Sequence, residues 1–399
     1  MFDPTLNEKP SQIDWPLWLA AAGLMVIGVL FVYSATSVSE AARALPLYKQ
    51  TFFHQIVWCG LGVAAALALS LLDYVSIARF ALVLYWLAIA ALVAVLIVGS
   101  IHNGSKRWVS LGPFNLQPSE FAKIAFIFMQ ANFLSRPLEE LRRPEVVGVA
   151  IGMAVLPFVF ILKEPDLGSA LVFIPVTLVM LFVAGVSRRF LAWMMGIAGF
   201  LVVSLVVAIL FLPPQLKIVE SYQRDRLLVY FGRDLALRNA TPEDRQRLKK
   251  ELRENSYNVE QSLISVGSGG FWGRGWRQGT QYALGFLPKL GAHNDFIFSV
   301  IAEEEGFVGS SLVLLLYTVL LFSGLRIASQ ARDRLGSLLA VGVVTLLFSH
   351  VFINIGMNIR LVPVTGIPLP LLSYGGSSVV CSLIAIGLLH NIHIHRRSY

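Results

Sequence analysis

Residues 80–99 read FALVLYWLAIAALVAVLIVG, twenty consecutive positions without a charge. In water such a run would have to be a buried core helix. At about 1.5 Å rise per residue it also matches the thickness of a bilayer's hydrocarbon layer, about 30 Å. Recurrence decides between the two. Comparable runs occupy roughly 16–36, 53–72, 118–135, 145–162, 169–186, 190–212, 306–325, 335–356 and 373–391, ten in all with the first. The fourth is interrupted by Glu120 and Lys123, and the fifth is short. Of the 399 residues 56% are apolar and only 14% are charged, against about 25% charged in an ordinary soluble domain. So few charges could not cover two soluble domains of this total length. That excludes a cytoplasmic enzyme, a disulfide scaffold and a disordered chain. The sequence predicts an all-α polytopic integral membrane protein of about ten transmembrane helices.

The formal charge is +8. Nucleic-acid binding is one reading of that excess, but the placement of the basic residues argues for topology instead. With the N-terminus in the cytoplasm, the inside segments hold Lys9, Arg79, Arg136, Arg142, Arg143, Arg188, Arg189, Arg326, Arg332, Arg334, Arg396 and Arg397. The short outer segments hold Arg43, Lys49, Lys106, Arg107, Lys163 and Arg360, half as many. Both ends are thereby expected inside, with tails at 1–15 and 393–399, helices at 16–212 and 296–392, and one long outer loop at 213–295. Cys59 and Cys381 both fall in apolar stretches and read as small core residues, not as a disulfide. The polar first fifteen residues and the long apolar run after them do not read as a cleavable signal peptide.

Loops of some eighty residues are rare without a use. Within this one, 215–234 mixes Leu216, Val219, Leu227, Tyr230 and Phe231 with Arg224, Arg226 and Arg233, the pattern of an amphipathic segment lying on headgroups. Residues 241–254 read as a solvated helix, with Thr241 as N-cap and Pro242 at the first position. Residues 267–279, GSGGFWGRGWRQG, carry six glycines and two tryptophans. They lack the Gly-Lys-Ser/Thr ending of a phosphate-binding loop, so tight turns anchored by Trp272 and Trp276 are expected.

Ionisable residues at membrane depth are costly and are functional candidates by default. Glu120 and Lys123, three apart, share a helix face and can pair, which would equally make a structural ion pair. Asp166 follows the helix-breaking Pro165, where it could also cap the next helix. Glu303, Glu304 and Glu305 point about 100° apart on a helix, so at most two share a cavity, and a structural role bonding loop amides is favoured for Glu303 and Glu304. Asp295 stands where the chain re-enters the membrane; half desolvated, it is a plausible base, although a helix cap is the simpler reading. His54, His350 and His390 are scattered without metal-ligand spacing.

The loops carry a recognisable set of blocks. Asn103-Gly-Ser-Lys-Arg-Trp108 with Gln117-Pro-Ser-Glu120-Phe-Ala-Lys123, Glu164-Pro-Asp-Leu-Gly168, 261–270 with Gly279-Thr-Gln281, Asn294-Asp-Phe-Ile-Phe298 with Ala302-Glu-Glu304, Asn354-Ile-Gly-Met357 through 363–370, and Ser373-Tyr-Gly-Gly-Ser-Ser378 lie in order along the chain. Together they resemble the SEDS proteins (shape, elongation, division, sporulation). The resemblance implies a ten-span peptidoglycan glycosyltransferase of the bacterial inner membrane that polymerises lipid II on the outer face. It implies a class B penicillin-binding protein and other elongation-complex membrane proteins as partners, and no nucleic acid. Pro363-Val-Thr-Gly366 is similar to the RodA-like elongation branch; the FtsW-like division branch usually has lysine where Thr365 stands.

By the same resemblance, Asp295 matches the essential aspartate and is the expected general base. Trp108 matches a sensitive outer-loop tryptophan, and Glu120, Lys123 and Asp166 match a polar cluster lining the cavity, with Ser377 added. The pyrophosphate clamp is expected from Lys106 and Arg107, then Arg224, Arg226 and Arg274, with Arg360 specific to this sequence. Glu303, Glu304, Pro368 and Tyr374 are expected as support. No metal ligand set is visible, although Mg or Mn could share the clamp's work. This sequence departs from the pattern at Asn294 (usually threonine), Lys289 (commonly glutamate), Glu164 (glutamine) and Arg360 (glycine). The competing class is a lipid II flippase, for which the intramembrane charges would serve a transport path; a pure scaffold leaves them unexplained.

Overall fold

The computed structural model describes residues 13–37, 46–102, 105–111, 114–141, 143–211, 257–286 and 292–396. The described residues are nearly all helical. In order it runs through α1 (Trp15–Thr36), α2 (Thr51–Ser70), α3 (Tyr74–Ala78), α4 (Ala81–Val98), β1 (Ser100–His102), β2 (Ser105–Leu111) and β3 (Phe114–Leu116). There follow α5 (Pro118–Leu134), α6 (Leu138–Leu141), α7 (Pro144–Lys163), α8 (Leu167–Leu171), α9 (Phe173–Val183) and α10 (Arg188–Phe211). The remaining elements are α11 (257–268), α12 (Thr280–Ala283), α13 (Ile297–Ser329), α14 (Arg334–Asn358) and α15 (Gly376–Ile394).

Seven of the described helices, α1, α2, α4, α7, α13, α14 and α15, are long and apolar enough to cross a membrane. The other three expected spans are helical too: α5 carries the Glu120–Lys123 pair, α8 and α9 divide one short apolar stretch, and α10 is the third. Local rules set the starts. Asp14 caps α1 by accepting from Leu17 N at 3.1 Å, Asp333 caps α14 through Gly336 N at 2.7 Å, and Asp166 caps α8 through Ser169 N at 3.1 Å. Pro118 and Pro144 open α5 and α7 where a missing N–H is harmless.

The most enclosed helices are α14 and α15, whose residues are mostly buried all round, while α2, α4 and α7 keep apolar side chains outward. Small residues permit the closest crossing. A Cβ added to Gly387 of α15 would lie 2.6 Å from Ala66 Cα of α2, so the two backbones touch. Cys59 and Cys381 are free thiols.

Three features differ from the sequence expectation. Helix α13 begins at Ile297, nine residues before the expected span, because Glu303 and Glu304 in its polar first turns are hydrogen-bonded inside the protein; Gly306, at φ 65°, kinks it there. Helix α15 begins at Gly376 rather than near 373, because Ser373 and Tyr374 bond other loops. Within a stretch read only as a connection, residues 100–102, 105–111 and 114–116 form a three-stranded antiparallel sheet in the order β1-β2-β3. The amphipathic segment at 215–234 and the charged helix at 241–254 lie outside the described residues.

Candidate active site

The site is built on the main chain around Asp295. Helix α14 turns one face inward with His350, Asn354 and Asn358, spaced i, i+4 and i+8 and all buried, and its two asparagines reach Asp295. Asn354 Nδ2 donates to the carbonyl of Asp295 at 3.0 Å and to that of Ile367 at 2.7 Å. Asn358 Nδ2 donates to the same Asp295 carbonyl at 3.1 Å. Ser373 Oγ donates to the Asn294 carbonyl at 2.6 Å, and Tyr374 N donates to His293 O at 2.9 Å. A buried knot backs this cradle. Ser299 Oγ donates to Asn358 Oδ1 at 2.6 Å, and Ser262 Oγ of α11 donates to Asn358 O at 3.0 Å. The half-buried Asp295 carboxylate lies over Gly366, where an added Cβ would come within 3.4 Å of Oδ2.

A second polar group gathers at the same end of the bundle. Arg107 on β2 reaches the connection between α7 and α8, where its Nε donates to Glu164 O at 3.1 Å and its Nη2 donates to Pro165 O. Its Nη1 stands 3.8 Å from Asp166 Oδ2, which also accepts from Gln117 Nε2 at 3.1 Å. Asp166 thus caps α8 and ties it to β2 through Arg107 and to Gln117 at the start of α5. Ser377 ties in α15: its Oγ accepts from Gln117 N at 3.0 Å and donates to Asn115 O at 3.4 Å. Glu164 is fully buried, and neither carboxyl oxygen has a hydrogen-bond partner among the described residues. Burial first, then the neighbouring Asp166, push its carboxyl up to about 8, with Arg107 opposing. Trp108 lies half-buried on β2, paired across the strand with Ser100.

Deeper in the bundle Lys123 Nζ lies 2.7 Å from Glu120 Oε1 and 2.9 Å from His350 Nε2, all three side chains buried. They border a cavity of about 10 Å³ with Cys381 and Ser382, roughly the size of one water. The Pro368 main chain is His350's other polar neighbour. His350, one of three histidines without metal-ligand spacing, is thereby placed in a polar group. The i, i+4, i+8 spacing of His350, Asn354 and Asn358 on an otherwise apolar helix is the signal that marks it, and it marks the Asp295 cradle as well.

The glycine turns form a third group. Glu303 Oε1 accepts from Thr280 N at 2.6 Å and Gln281 N at 3.0 Å, and Glu304 accepts from Ser34 Oγ at 2.6 Å and Arg277 N at 2.9 Å. Both carboxylates therefore bond loop amides. Gly273 and Gly306 approach so closely that a Cβ on Gly306 would meet Gly273 N at 2.3 Å. Arg274 belongs here, 3.9 Å from Glu303 Oε1 and bonded to Thr280 Oγ1, rather than with Arg107 around Asp166. Arg360 is exposed just beyond α14. Lys106 is placed by its main chain alone, opposite Ile101 on β1, and Arg224 and Arg226 lie outside the described residues. Among the described residues no group of three or more His, Cys, Asp or Glu could hold a metal ion.

Fold and site together define a polytopic helical membrane protein with a polar core and a backbone-anchored carboxylate at one end. The family model FTSW_RODA_SPOVE, cell cycle protein, matches residues 14–398, and the chain belongs to that family. It is 35% identical to stage V sporulation protein E of Bacillus subtilis (strain 168), over 98% of this chain and 100% of that protein. It is 34% identical to peptidoglycan glycosyltransferase MrdB of Escherichia coli (strain K12), over 94% and 93%. With peptidoglycan glycosyltransferase RodA of Treponema pallidum (strain Nichols) it shares 33%, over 96% and 98%. Several solved structures are similar, of which two serve as examples. One is a chain from a peptidoglycan synthase complex that coordinates polymerization and crosslinking, with TM-score 0.74 and 28% identity over 96% of this chain and 98% of that one. The other is rod shape determining protein RodA of Thermus thermophilus, with TM-score 0.64 and 26% identity over 97% and 98%.

Proposed function

We propose that this chain is a peptidoglycan glycosyltransferase that polymerises lipid II on the outer face of a bacterial inner membrane, with Asp295 as its general base. The observation that carries this reading is the Asp295 cradle: the backbone carbonyl is bonded from both Asn354 and Asn358, which fixes the position of the half-buried carboxylate over Gly366. In lipid II the donor sugar is linked through an α-pyrophosphate, and a β-1,4 product requires inversion. One displacement suffices. The acceptor 4-hydroxyl oxygen bonds to the donor anomeric carbon, its proton passes to Asp295, and the bond to pyrophosphate breaks with undecaprenyl pyrophosphate leaving as an anion. No second carboxylate is needed as acid, because the leaving group departs without a proton.

Arg107 is the best-placed clamp for the pyrophosphate, set on the sheet beside Asp166. Mg or Mn would accompany the pyrophosphate as part of the substrate. The membrane arrangement that fits is ten spans with both termini in the cytoplasm, as the basic residues of the short loops indicate. The partner in this reading is a class B penicillin-binding protein, supported by the likeness to a chain of a synthase complex. The branch is the RodA-like one, supported by Thr365.

A second reading is a lipid II flippase, favoured by the buried Glu120–Lys123–His350 group. Purified protein in vesicles, supplied with lipid II and the cognate class B penicillin-binding protein, separates the two. Glycan chains without transfer of lipid II across the bilayer support the polymerase; transfer without chains supports the flippase.

A further inference from the structure

Glu164 is a carboxyl group for which the fold provides nothing a carboxylate needs. It is fully buried, and neither oxygen accepts a hydrogen bond among the described residues. The charged groups that face it are Asp166 on its own connection and Arg107 from β2. Asp166 is already answered by Gln117 Nε2, Ser169 N and the Arg107 guanidinium. Arg107, in turn, takes the main-chain carbonyls of Glu164 and Pro165 and not the Glu164 side chain, although that side chain belongs to the residue it bonds. An ionised carboxylate buried without partners is expensive, whereas the neutral acid is tolerated. An arginine beside such a carboxylate would turn to it, because a bidentate pair is stronger than bonds to carbonyls.

We infer that Glu164 is a positioning residue that works as a neutral acid: its proton keeps the Arg107 guanidinium on the two carbonyls and leaves the arginine's charge for an anionic substrate group. Loss of that proton to solvent creates a carboxylate that draws Arg107 inward and withdraws the cation from the substrate. The substrate part of this inference rests on the reading of Arg107 as the pyrophosphate clamp. The proton's location does not.

The test compares the purified full-length protein with its Glu164→Gln variant from about pH 6 to about pH 9.5, a range centred near the point where Glu164 gives up its proton, about 8. Infrared titration of the wild type should show a protonated-carboxyl band that is lost with a midpoint near pH 8 and is missing from the variant. Thermal unfolding should show the wild type losing stability relative to Glu164→Gln as pH rises. This follows because the folded protein holds a proton that the unfolded chain has released. In lipid II polymerisation with the partner present, KM for the wild type should rise several-fold above about pH 8 while that of Glu164→Gln stays level. No titrating band, or unfolding curves with the same pH dependence, would overturn the inference. A level wild-type KM beside a titrating Glu164 would overturn its link to Arg107. Absence of polymerisation at every pH in both proteins would overturn the clamp itself, with the infrared and unfolding results still locating the proton.

Discussion

Asn354 holds Asp295 by its main chain: one side-chain amide donates to the Asp295 carbonyl at 3.0 Å and to the Ile367 carbonyl at 2.7 Å. It therefore fixes the entrance to α13 against the 363–370 loop, and sets where the carboxylate stands without touching it. Replacing Asn354 with alanine removes the side-chain donor from the Ile367 carbonyl and leaves the Asp295 carbonyl with Asn358 Nδ2. We expect a loss of about 1–3 kcal/mol in stability. Since a displacement of about 1 Å can cost roughly 100-fold in rate, kcat should fall by about that factor with a smaller change in KM. Steady-state polymerisation and thermal unfolding of the variant check both.

The buried Glu120–Lys123 pair gives a second test. Removing one partner strands the other charge among buried neighbours, and each of Glu120→Gln and Lys123→Met should destabilise by about 3–5 kcal/mol. The double variant has no stranded charge and should cost much less than the sum. Additive losses in a double-mutant cycle would mean that the two residues do not depend on each other.

Arg360 ends α14 at φ 61°, in the left-handed region. Leu361 N bonds Gly356 O at 2.7 Å and Arg360 N bonds Met357 O at 3.2 Å, a pattern in which glycine is the usual residue. Arg360→Gly should therefore stabilise the protein, by about 1 kcal/mol after allowing for the greater freedom of the unfolded chain. A lower thermal midpoint would show that the arginine side chain contributes more than its backbone strain removes.

The helical architecture was legible because apolar runs report the bilayer directly. The pieces that escaped are those where polar residues are satisfied by distant chain. The bonding of Glu303 and Glu304 to loop amides is legible, but nothing local names Thr280, Gln281, Arg277 and Ser34 as the partners, and the apolar run alone starts nine residues after Ile297. The small sheet escaped because two of its strands are three residues long, too short for an alternation to register. Asp295, Glu120, Lys123 and Asp166 stood out as charges in apolar surroundings. The meeting of Arg107 with Glu164, 57 residues apart, has no sequence signature. The polar stripe of His350, Asn354 and Asn358 did have one, at helical spacing, yet a lone histidine on an apolar helix invites a reading as core.

The most direct test of the central claim is glycan-chain formation from purified lipid II by wild type and Asp295→Ala, each with its class B penicillin-binding protein and each shown to be folded by its thermal transition. A positioned base contributes typically about 10²–10⁴-fold. We expect polymer from the wild type and a loss of at least that size in the variant. A folded Asp295→Ala protein that polymerises at close to the wild-type rate would contradict the assignment.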